Sequence, residues 1–269
     1  MAVHALNSSA TGLSALTTQL DVIANNLANV NTNGYKASRA NFQDLLYIEK
    51  QQPGVRNANG DQRPTGLYIG LGVKVSGTQQ NFEQGPVQPT DNELDLMIDG
   101  EGFFKVRVNE EVAPGGFAYT RSGNFTLNAE GKIVLANDQG PILDPEISIE
   151  DTYTTISISS DGRVMVGIPG ETEPQEAGQI ELVKFINPAG LEQIGDNLWA
   201  ETVASGAPIE GEPGTDGRGS IQQNMLEGSN VDPMIELVNL IETQRAFELN
   251  SQAIQAANEL LQQVSNLRR

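Results

Sequence analysis

Side chains that could support catalysis are scarce in this chain of 269 residues. It has one histidine, His4, and no cysteine, so it cannot build a thiolate zinc site or a Ser/His or Cys/His nucleophile pair of the usual kind. Asp91 with Glu93 and Asp99 with Glu101 are paired carboxylates of the type that a glycosidase uses. Because the chain has 35 acidic residues, such pairs are expected by chance. We therefore expect no catalytic residues and no enzyme activity.

Two further features have a known binding chemistry. The glycine-rich residues 66–72 lack the lysine of a phosphate-binding loop and the helix that should follow one, so we interpret them as β-turn glycines. The acidic loops do not show the regular ligand spacing of a calcium loop. The sequence therefore predicts no metal site and no cofactor.

The net charge of −19 is distributed unevenly along the chain. Residues 1–66 carry a net charge of +1 and residues 231–269 carry −2, so −18 lies between them. Nearly neutral ends are typical of segments buried against each other, whereas the acidic middle is expected to face water. Such a surface repels nucleic acid and anionic membranes, so we expect no nucleic-acid binding.

No stretch of the sequence has the properties of a membrane span or a secretory signal. No run of about 18 apolar residues occurs, which argues against direct membrane insertion. The first residues lack a basic region, and polar residues interrupt what would be the apolar core of a signal peptide. If the protein leaves the cytoplasm, we expect a route that removes no standard signal.

The elements that would position a functional surface are two long helices, predicted at residues 2–30 and 232–267. Each has apolar residues every seven positions, with a second set three residues later, which is the seam of a helix that packs along its length on another helix. The first seam consists of Leu6, Leu13, Leu20 and Leu27 with Ser9, Leu16, Ile23 and Val30. The second consists of Leu240, Phe247, Ile254 and Leu261 with Thr243, Asn250, Ala257 and Val264. We expect the seams to pair with each other and with copies of themselves.

Local signals mark the ends of these helices. Gly34 is expected to adopt the left-handed conformation of a helix stop, and Asp232 is expected to be an N-cap with Pro233 at the first helical position. The first helix has one acidic residue, Asp21, and its outer face is otherwise rich in uncharged polar side chains. This composition fits either a buried core helix or a helix surrounded by other subunits, where uncharged groups avoid the desolvation cost of a charge.

The middle of the chain has the pattern of an antiparallel β domain. Residues 67–75 alternate, and residues 94–108 predict a strand, a tight turn at 99–102 and a second strand. Further strands are predicted at 117–121, 124–127, 132–136, 153–158, 163–168, 180–186 and 197–200. Residues 171–178 and 206–219 are predicted loops, and residues 35–66 a loop or extended arm. The fold class is therefore α+β, with paired, coiled-coil-like terminal helices and a mostly antiparallel central β domain.

Three stretches resemble one protein family. They are Ala-Asn-Asn-Leu-Ala-Asn-Val-Asn-Thr-Asn-Gly-Tyr-Lys at residues 24–36, the segment at 229–250, and Leu-Asp…Ile…Gly-x-Gly-Phe-Phe-x-Val within 94–106. Together they are similar to the bacterial flagellar basal-body rod and hook proteins. The chain departs from the commoner middle pattern at Met97, Asp99 and Glu101, which we interpret as surface variation.

The resemblance implies a structural subunit of the flagellar rod, most similar to that of the distal rod. It implies self-assembly into a hollow helical drive shaft that crosses the periplasm and transmits torque from motor to hook. The partners it implies are further copies of the chain, proximal rod proteins and hook protein at the two ends, the surrounding peptidoglycan- and outer-membrane-ring proteins, and the flagellar export apparatus.

The resemblance also assigns roles to segments. Tyr47, Gln52, Pro53 and Gly54 match an insertion that marks the distal rod protein and stiffens the rod, although a floppy surface loop is the alternative. The expected subunit-interface residues are Leu6, Leu13, Leu16, Leu20, Ile23, Leu27, Val30, Leu240, Phe247, Ile254, Leu261 and Val264. The expected domains are residues 1–32 with 231–269 for assembly, 33–66 as the arm, and 67–230 as the acidic β domain.

Three alternatives to a distal rod subunit stay open at this point. A proximal rod protein of the same family has a similar plan and length. A soluble binding module with a coiled-coil stalk would form a discrete oligomer rather than an open polymer. A catalytic β domain with helical tails would require a pocket of convergent polar groups, which the sequence does not signal.

Overall fold

The computed structural model describes residues 2–54, 65–149, 153–170 and 174–267, with the side chains of 2–5, 260, 264, 265 and 267 left out. Helix α1 (Ala2–Ala28) and helix α2 (Pro233–Leu267) stand at the two ends, and twenty short strands lie between them in the described residues. The pairings are antiparallel wherever their register is defined, so the predicted α+β class is confirmed. Neither described helix is both long enough and apolar enough to span a bilayer.

The described chain forms two compact units. Unit 1 contains residues 2–28, 38–54, 65–79 and 232–267, and unit 2 contains residues 29–37, 80–149, 153–170 and 174–231. The central β domain was predicted to begin at residue 67, but residues 67–79 pack within unit 1, together with the helices.

Unit 1 combines both helices with four strands. The strands are β1 (Ser38–Asp44), β2 (Tyr47–Gln51), β3 (Leu67–Gly70) and β4 (Val73–Gln80), the last ending at the first residue of unit 2. β1 pairs with β4, and β2 pairs antiparallel with β3 so that Tyr47 lies opposite Gly70. The single strand predicted at residues 67–75 is thus interrupted between β3 and β4, where Gly72 has a φ of +118° that favours glycine.

The predicted N-terminal signals of α2 are confirmed, and Gly34 has the predicted left-handed conformation, but it is not the stop of α1, which ends six residues earlier at Ala28. The Asp232 Oδ1 atom accepts hydrogen bonds from the backbone N–H groups of Met234 and Ile235, at 2.8 and 3.3 Å, and Pro233 is the first residue of α2. Gly34 has a φ of +71°. A Cβ atom there would lie 2.7 Å from the backbone nitrogen of Ser122, so close packing as well as conformation requires glycine.

Helices α1 and α2 contact each other and run in opposite directions. Near the end of α1, Asn26 Nδ2 donates to Glu236 Oε1 in the first turns of α2 at 3.4 Å. Towards the start of α1, a Cβ atom built on Gly12 would lie 3.6 Å from Asn250 Nδ2, further along α2. The two contacts are separated by equal lengths of both helices, as expected for an antiparallel pair.

Unit 2 consists of β strands in several sheets. Its strands are β5 (Val87–Pro89), β6 (Leu96–Asp99), β7 (Phe103–Arg107), β8 (Phe117–Thr120), β9 (Phe125–Leu127), β10 (Ile133–Leu135), β11 (Ile142–Asp144), β12 (Thr155–Ile158), β13 (Arg163–Gly167), β14 (Gln175–Gln179), β15 (Leu182–Lys184), β16 (Glu192–Gly195), β17 (Leu198–Ala200), β18 (Ile209–Gly211), β19 (Ser220–Gln223) and β20 (Met225–Glu227). The largest sheet has the order β16-β17-β8-β7-β11-β10-β9, with β15 joining β7 to β18. The smaller sheets are β12-β13-β14, β6-β19 and β5-β20.

Strand β7 separates two apolar clusters because successive side chains point to opposite faces of a strand. Phe104 and Val106 belong to the main cluster, and Phe103 belongs to a second one with Tyr119 and Trp199. In the main cluster the Phe104 ring packs edge-on against Phe125, with centroids 5.2 Å apart. Both faces of the central strand are thus covered by the unit's own residues.

Most strand predictions are confirmed, and three details are wrong. The predicted strands between 117 and 200 begin and end within two residues of β8, β9, β10, β12, β13, β15 and β17. The segment 94–108 is no hairpin, because β6 pairs with β19 whereas β7 pairs with β8, β11 and β15. The loops predicted at 171–178 and 206–219 contain strands β14 and β18, which distant partners bring into sheets.

Candidate assembly site

Three of the four carboxylates singled out for their chemistry, Glu93, Asp99 and Glu101, have structural roles. Glu101 forms an ion pair with Lys184 at 2.6 Å, and Asp99 Oδ2 accepts a hydrogen bond from Gln222 Nε2 at 3.0 Å across the β6-β19 pair. Glu93 Oε2 accepts from the backbone N–H of Ile156 at 2.9 Å. No group of three potential metal ligands occurs in the described part of the chain. The glycine-rich residues 66–72 contain strand β3 and the two residues before β4, and a strand rather than a helix follows them.

The predicted seam residues differ in their burial. Ile23 is buried, and Leu240 and Ile254 are half-buried on the same side of α2 as Thr243 and Asn250. The half-buried seam residues of the N-terminal segment are Leu6, Leu13, Leu16, Leu20, Leu27 and Val30. Phe247 and Leu261 are more exposed, and the side chain of Val264 lies outside the described residues. Within one chain, the seams are used at least in part for the intramolecular helix pair.

A second apolar face of α2 was missed by the heptad interpretation. Met234, Leu237, Val238 and Ile241, hereafter the α2 stripe, recur at three- and four-residue spacing on the side of the helix opposite Thr243. Their exposure ranges from 42% at Leu237 to 70% at Met234, although large apolar side chains favour burial. The sequence does contain the signal, but the regular spacing of the longer seam masked it. α2 therefore has one face against α1 and a second one open to solvent.

A groove of about 280 Å³ lies beside the helix pair in unit 1. Gly12 and Ala15 of α1 and Ala246 of α2 line it, together with Phe42 of β1 and Val73 of β4. The small residues keep the helices close and leave room for an apolar side chain above them. The groove and the α2 stripe are two open apolar features among the described residues of unit 1.

The predicted arm contains paired strands. Tyr47 begins β2 and is exposed, and a hydrogen bond to Asp44 raises its pKa, because the nearby carboxylate disfavours the phenolate. Leu46, just before it, is 82% exposed. Gln52, Pro53 and Gly54 are exposed and follow β2 in a turn, and the rest of the predicted arm up to residue 64 lies outside the described residues.

Polar residues of the N-terminal signature make buried contacts inside the chain. Asn26 exchanges two hydrogen bonds with the backbone of Ser38, at 2.8 and 2.9 Å, so it ties the end of α1 to the start of β1. Lys36 is fully buried and pairs with Glu227 at 2.6 Å in unit 2, where Arg121 contacts the same carboxylate at 3.3 Å. Burial lowers the pKa of Lys36, because it disfavours the charged form, while Glu227 opposes that shift. Sequence analysis identified these residues only as parts of a resemblance.

Comparison with protein-family models defines the class of protein. Residues 6–36 match the model for "Flagella basal body rod protein", and residues 222–267 match "Flagellar basal body rod FlgEFG protein C-terminal". Residues 97–166 match "Flagellar hook protein FlgE/F/G D1 domain". Both helices and much of unit 2 are thus those of a flagellar rod or hook protein.

Relatives that match nearly the whole chain narrow the class of protein to which it belongs. The chain is 44% identical to a "Flagellar basal-body rod protein FlgG" of Buchnera aphidicola subsp. Schizaphis graminum, over 96% of this chain and 97% of the relative. It is 43% identical to the protein of the same name in Caulobacter vibrioides, over 99% and 100% of the two chains. A "Flagellar basal-body rod protein FlgF" of Caulobacter vibrioides is 37% identical over 86% of this chain. The chain belongs to the flagellar basal-body rod protein family.

Family membership confirms the resemblance and bears on two expectations. Flagellar rod proteins are structural, so the expectation that the chain is not an enzyme agrees with its family. The family name also gives the flagellar basal body as its location. The site to be explained is therefore an assembly surface.

Proposed function

We propose that this protein is a structural subunit of the distal part of the flagellar rod, and that it polymerises into a hollow helical shaft that transmits torque to the hook. The observation that carries the proposal is the α2 stripe, an open apolar face on a helix whose other face is already covered by α1. The greater similarity to FlgG-named relatives, the distal rod proteins, than to the FlgF-named one favours the distal rod over the proximal rod.

The two faces of α2 explain why the assembly would be open. A helix that is apolar on two sides needs a neighbour on each side, and burying one large aliphatic side chain contributes about 1.5–3 kcal/mol. The stripe and the groove beside Gly12 are different surfaces, so a contact of one copy's stripe with another region of the next copy is heterologous. Heterologous contacts that do not close generate helical polymers.

In the proposed polymer the terminal helices form the inner layers. The α1 and α2 seams pair in a coiled-coil-like manner within a subunit, and their exposed positions, such as Phe247 and Leu261, contact neighbouring subunits together with the α2 stripe. Uncharged polar residues along α1 suit such a packed layer, since they form hydrogen bonds at less desolvation cost than charges.

The arm is proposed to stiffen the shaft. The exposed pair Leu46 and Tyr47 leads into a paired strand rather than a free loop, so it can hold a fixed position against a neighbour. Four arm residues are proposed to contact the neighbouring subunit: Tyr47, Gln52, Pro53 and Gly54.

The further partners follow from the family. They are proximal rod proteins and hook protein at the two ends of the shaft, the peptidoglycan- and outer-membrane-ring proteins around it, and the export apparatus that delivers the subunit across the inner membrane without removing a signal. The shaft would accordingly cross the periplasm.

Sedimentation velocity and electron microscopy at rising protein concentration test the proposal. The wild-type chain should form open filaments, and the double variant Val238→Asp/Ile241→Asp should stay monomeric at the same concentrations, because each aspartate places a charge in the buried contact. Gln139→Asp adds a charge at an exposed position of unit 2 and should leave filament formation unchanged. A closed wild-type oligomer of fixed mass would refute the open polymer and favour the stalked binding module.

A further inference from the structure

The chain passes from one unit to the other after residues 28, 37, 79 and 231. At the last three crossings, the adjoining segments of unit 2 are residues 34–37, 80–85 and 227–231. These three segments lie side by side. The hydrogen bonds that join them come from few side chains. The arrangement is therefore a single structural feature rather than three separate linkers.

Asn230 joins all three segments. Its Oδ1 accepts from the backbone N–H of Ala37 at 2.7 Å, and its Nδ2 donates to the carbonyl oxygens of Asn81 and Glu83 at 2.8 and 3.1 Å. The N–H of Asn81 donates in turn to the carbonyl of Ala37 at 2.8 Å. One amide side chain thus closes a ring of hydrogen bonds across the three connections.

Glu227 joins the same segments in the interior. Its carboxylate accepts from Lys36 at 2.6 Å and from the backbone N–H of Gly85 at 2.9 Å, and Lys36 also donates to the carbonyl of Glu83 at 2.6 Å. Arg121 of the β unit completes the cluster through Glu227 at 3.3 Å and the carbonyl of Gly100 at 2.7 Å. Charge-assisted hydrogen bonds of this kind are stronger and more directional than neutral ones.

We infer that Glu227 and Asn230 form a clamp that makes the three connections move as one body anchored to the β unit. A side chain that only satisfied the hydrogen-bonding groups of one loop would contact one segment, whereas Glu227 and Asn230 each contact at least two. The inference rests on the proposed function for its consequence: twist applied to the helices of a shaft subunit would reach unit 2 at three of the four crossings through one stiff anchor instead of three independent connections.

Hydrogen exchange of the full-length chain, read residue by residue, tests the clamp in the soluble protein. Asn230→Ala should accelerate exchange of the Ala37 and Asn81 amides together, by about fivefold, because the loss of the Asn230 hydrogen bonds loosens the whole ring. Amides of the central sheet, such as Val106, should not change. The control Asn187→Ala removes an asparagine that donates to the Ala204 carbonyl at 3.0 Å in another loop of unit 2, and should leave the Ala37 and Asn81 amides unchanged.

Acceleration of Ala37 alone would overturn the clamp, because that amide simply loses its acceptor. Equal acceleration throughout unit 2 would also overturn it, since it would show global destabilisation. Filament stiffness is a separate readout: Asn230→Ala filaments should have a shorter persistence length at unchanged mass per length. If the wild type forms no filaments, the proposed function fails while the exchange result still decides the clamp.

Discussion

Apolar side chains are buried in the β core of unit 2 but are exposed along one face of helix α2 in unit 1. Phe104, at the centre of the largest sheet, is completely buried by residues of its own unit. The α2 stripe stays open in its own chain, from 42% exposed at Leu237 to 70% at Met234. Unit 2 thus completes its own core, whereas unit 1 leaves an apolar face to solvent, which the proposed assembly would cover.

The two regions also differ in their net charge. All lysine and arginine residues in the described part of unit 2 are in ion pairs, so its remaining surface charges are carboxylates; these basic residues are Lys36, Lys105, Arg107, Arg121, Lys132, Arg163, Lys184 and Arg218. Surfaces of one sign repel each other at close range. If copies assemble as proposed, we expect the attraction to come mainly from residues 1–66 and 231–269, whose net charges are +1 and −2.

Removing a buried ring from unit 2 should give the largest effect. Phe104→Ala leaves a cavity between β7 and Phe125 and should lower the free energy of unfolding of unit 2 by about 3–5 kcal/mol. Urea denaturation followed by the fluorescence of Trp199, the only tryptophan, measures it. Leu249→Ala, at a side chain 66% exposed on α2, should change the dilute protein by less than about 0.5 kcal/mol. Equal losses of unfolding free energy would mean that α2 is packed by its own chain as fully as the core of unit 2.

Limited proteolysis of the dilute protein should also distinguish α2 from unit 2, by their cleavage rates. Trypsin should cleave after the exposed Arg245 of α2 at least about tenfold faster than after the buried Arg121 of unit 2, because a helix with an uncovered apolar face opens more readily. Mass spectrometry of the fragments over time gives both rates, and polymerised protein should lose the difference. Resistance of Arg245 in a small closed oligomer would contradict the open assembly.

Loss of the α2 N-cap should have a moderate effect confined to unit 1. Asp232→Ala removes the acceptor of the Met234 and Ile235 amides and should destabilise the helix pair by about 1 kcal/mol. Thermal melting followed by far-UV circular dichroism should show the loss, while the Trp199 signal of unit 2 stays where it was. Asp232→Asn, which keeps an acceptor oxygen, should recover most of the stability.

The smallest expected effect concerns a surface ion pair of unit 2. Hydrogen bonding and charge from Lys132 lower the pKa of Glu146 below its ordinary value of 4.5. The pair therefore stabilises the fold above that value, and the contribution is lost as the pH falls through the lowered pKa. An NMR titration of the Glu146 carboxyl should show the low pKa, and Lys132→Met should raise it. An unchanged pKa would show that the pair does not form in solution.

Features set by local sequence were predicted well. Asp232 and Pro233 act within a few residues and start α2 as predicted, and Gly34 adopts the left-handed conformation that was expected of it. The seven-residue periodicity likewise predicts α1 and α2, because an amphipathic pattern fixes the helix whatever covers it.

Features set by distant pairing were missed. The turn between β6 and β7 was predicted, but no local signal shows that β6 pairs with β19, more than a hundred residues later. Periodicity also could not show that the seams are partly used within the chain while Met234 and Ile241 stay open. Lys36 lies in a polar stretch, and its burial against Glu227 depends on a residue 191 positions away.

The antiparallel pairing of the chain ends has a consequence for timing. The contact between Asn26 and Glu236 joins residues 210 positions apart, so α1 leaves the ribosome long before its partner. At about 5–20 residues per second, the delay is roughly 10 to 40 seconds. Unit 2 can fold in that interval, but the helix pair cannot exist until the final segment has been made. Because α2 carries the stripe and is synthesised after unit 2, we expect a nascent chain that has not yet reached α2 to lack the proposed assembly surface.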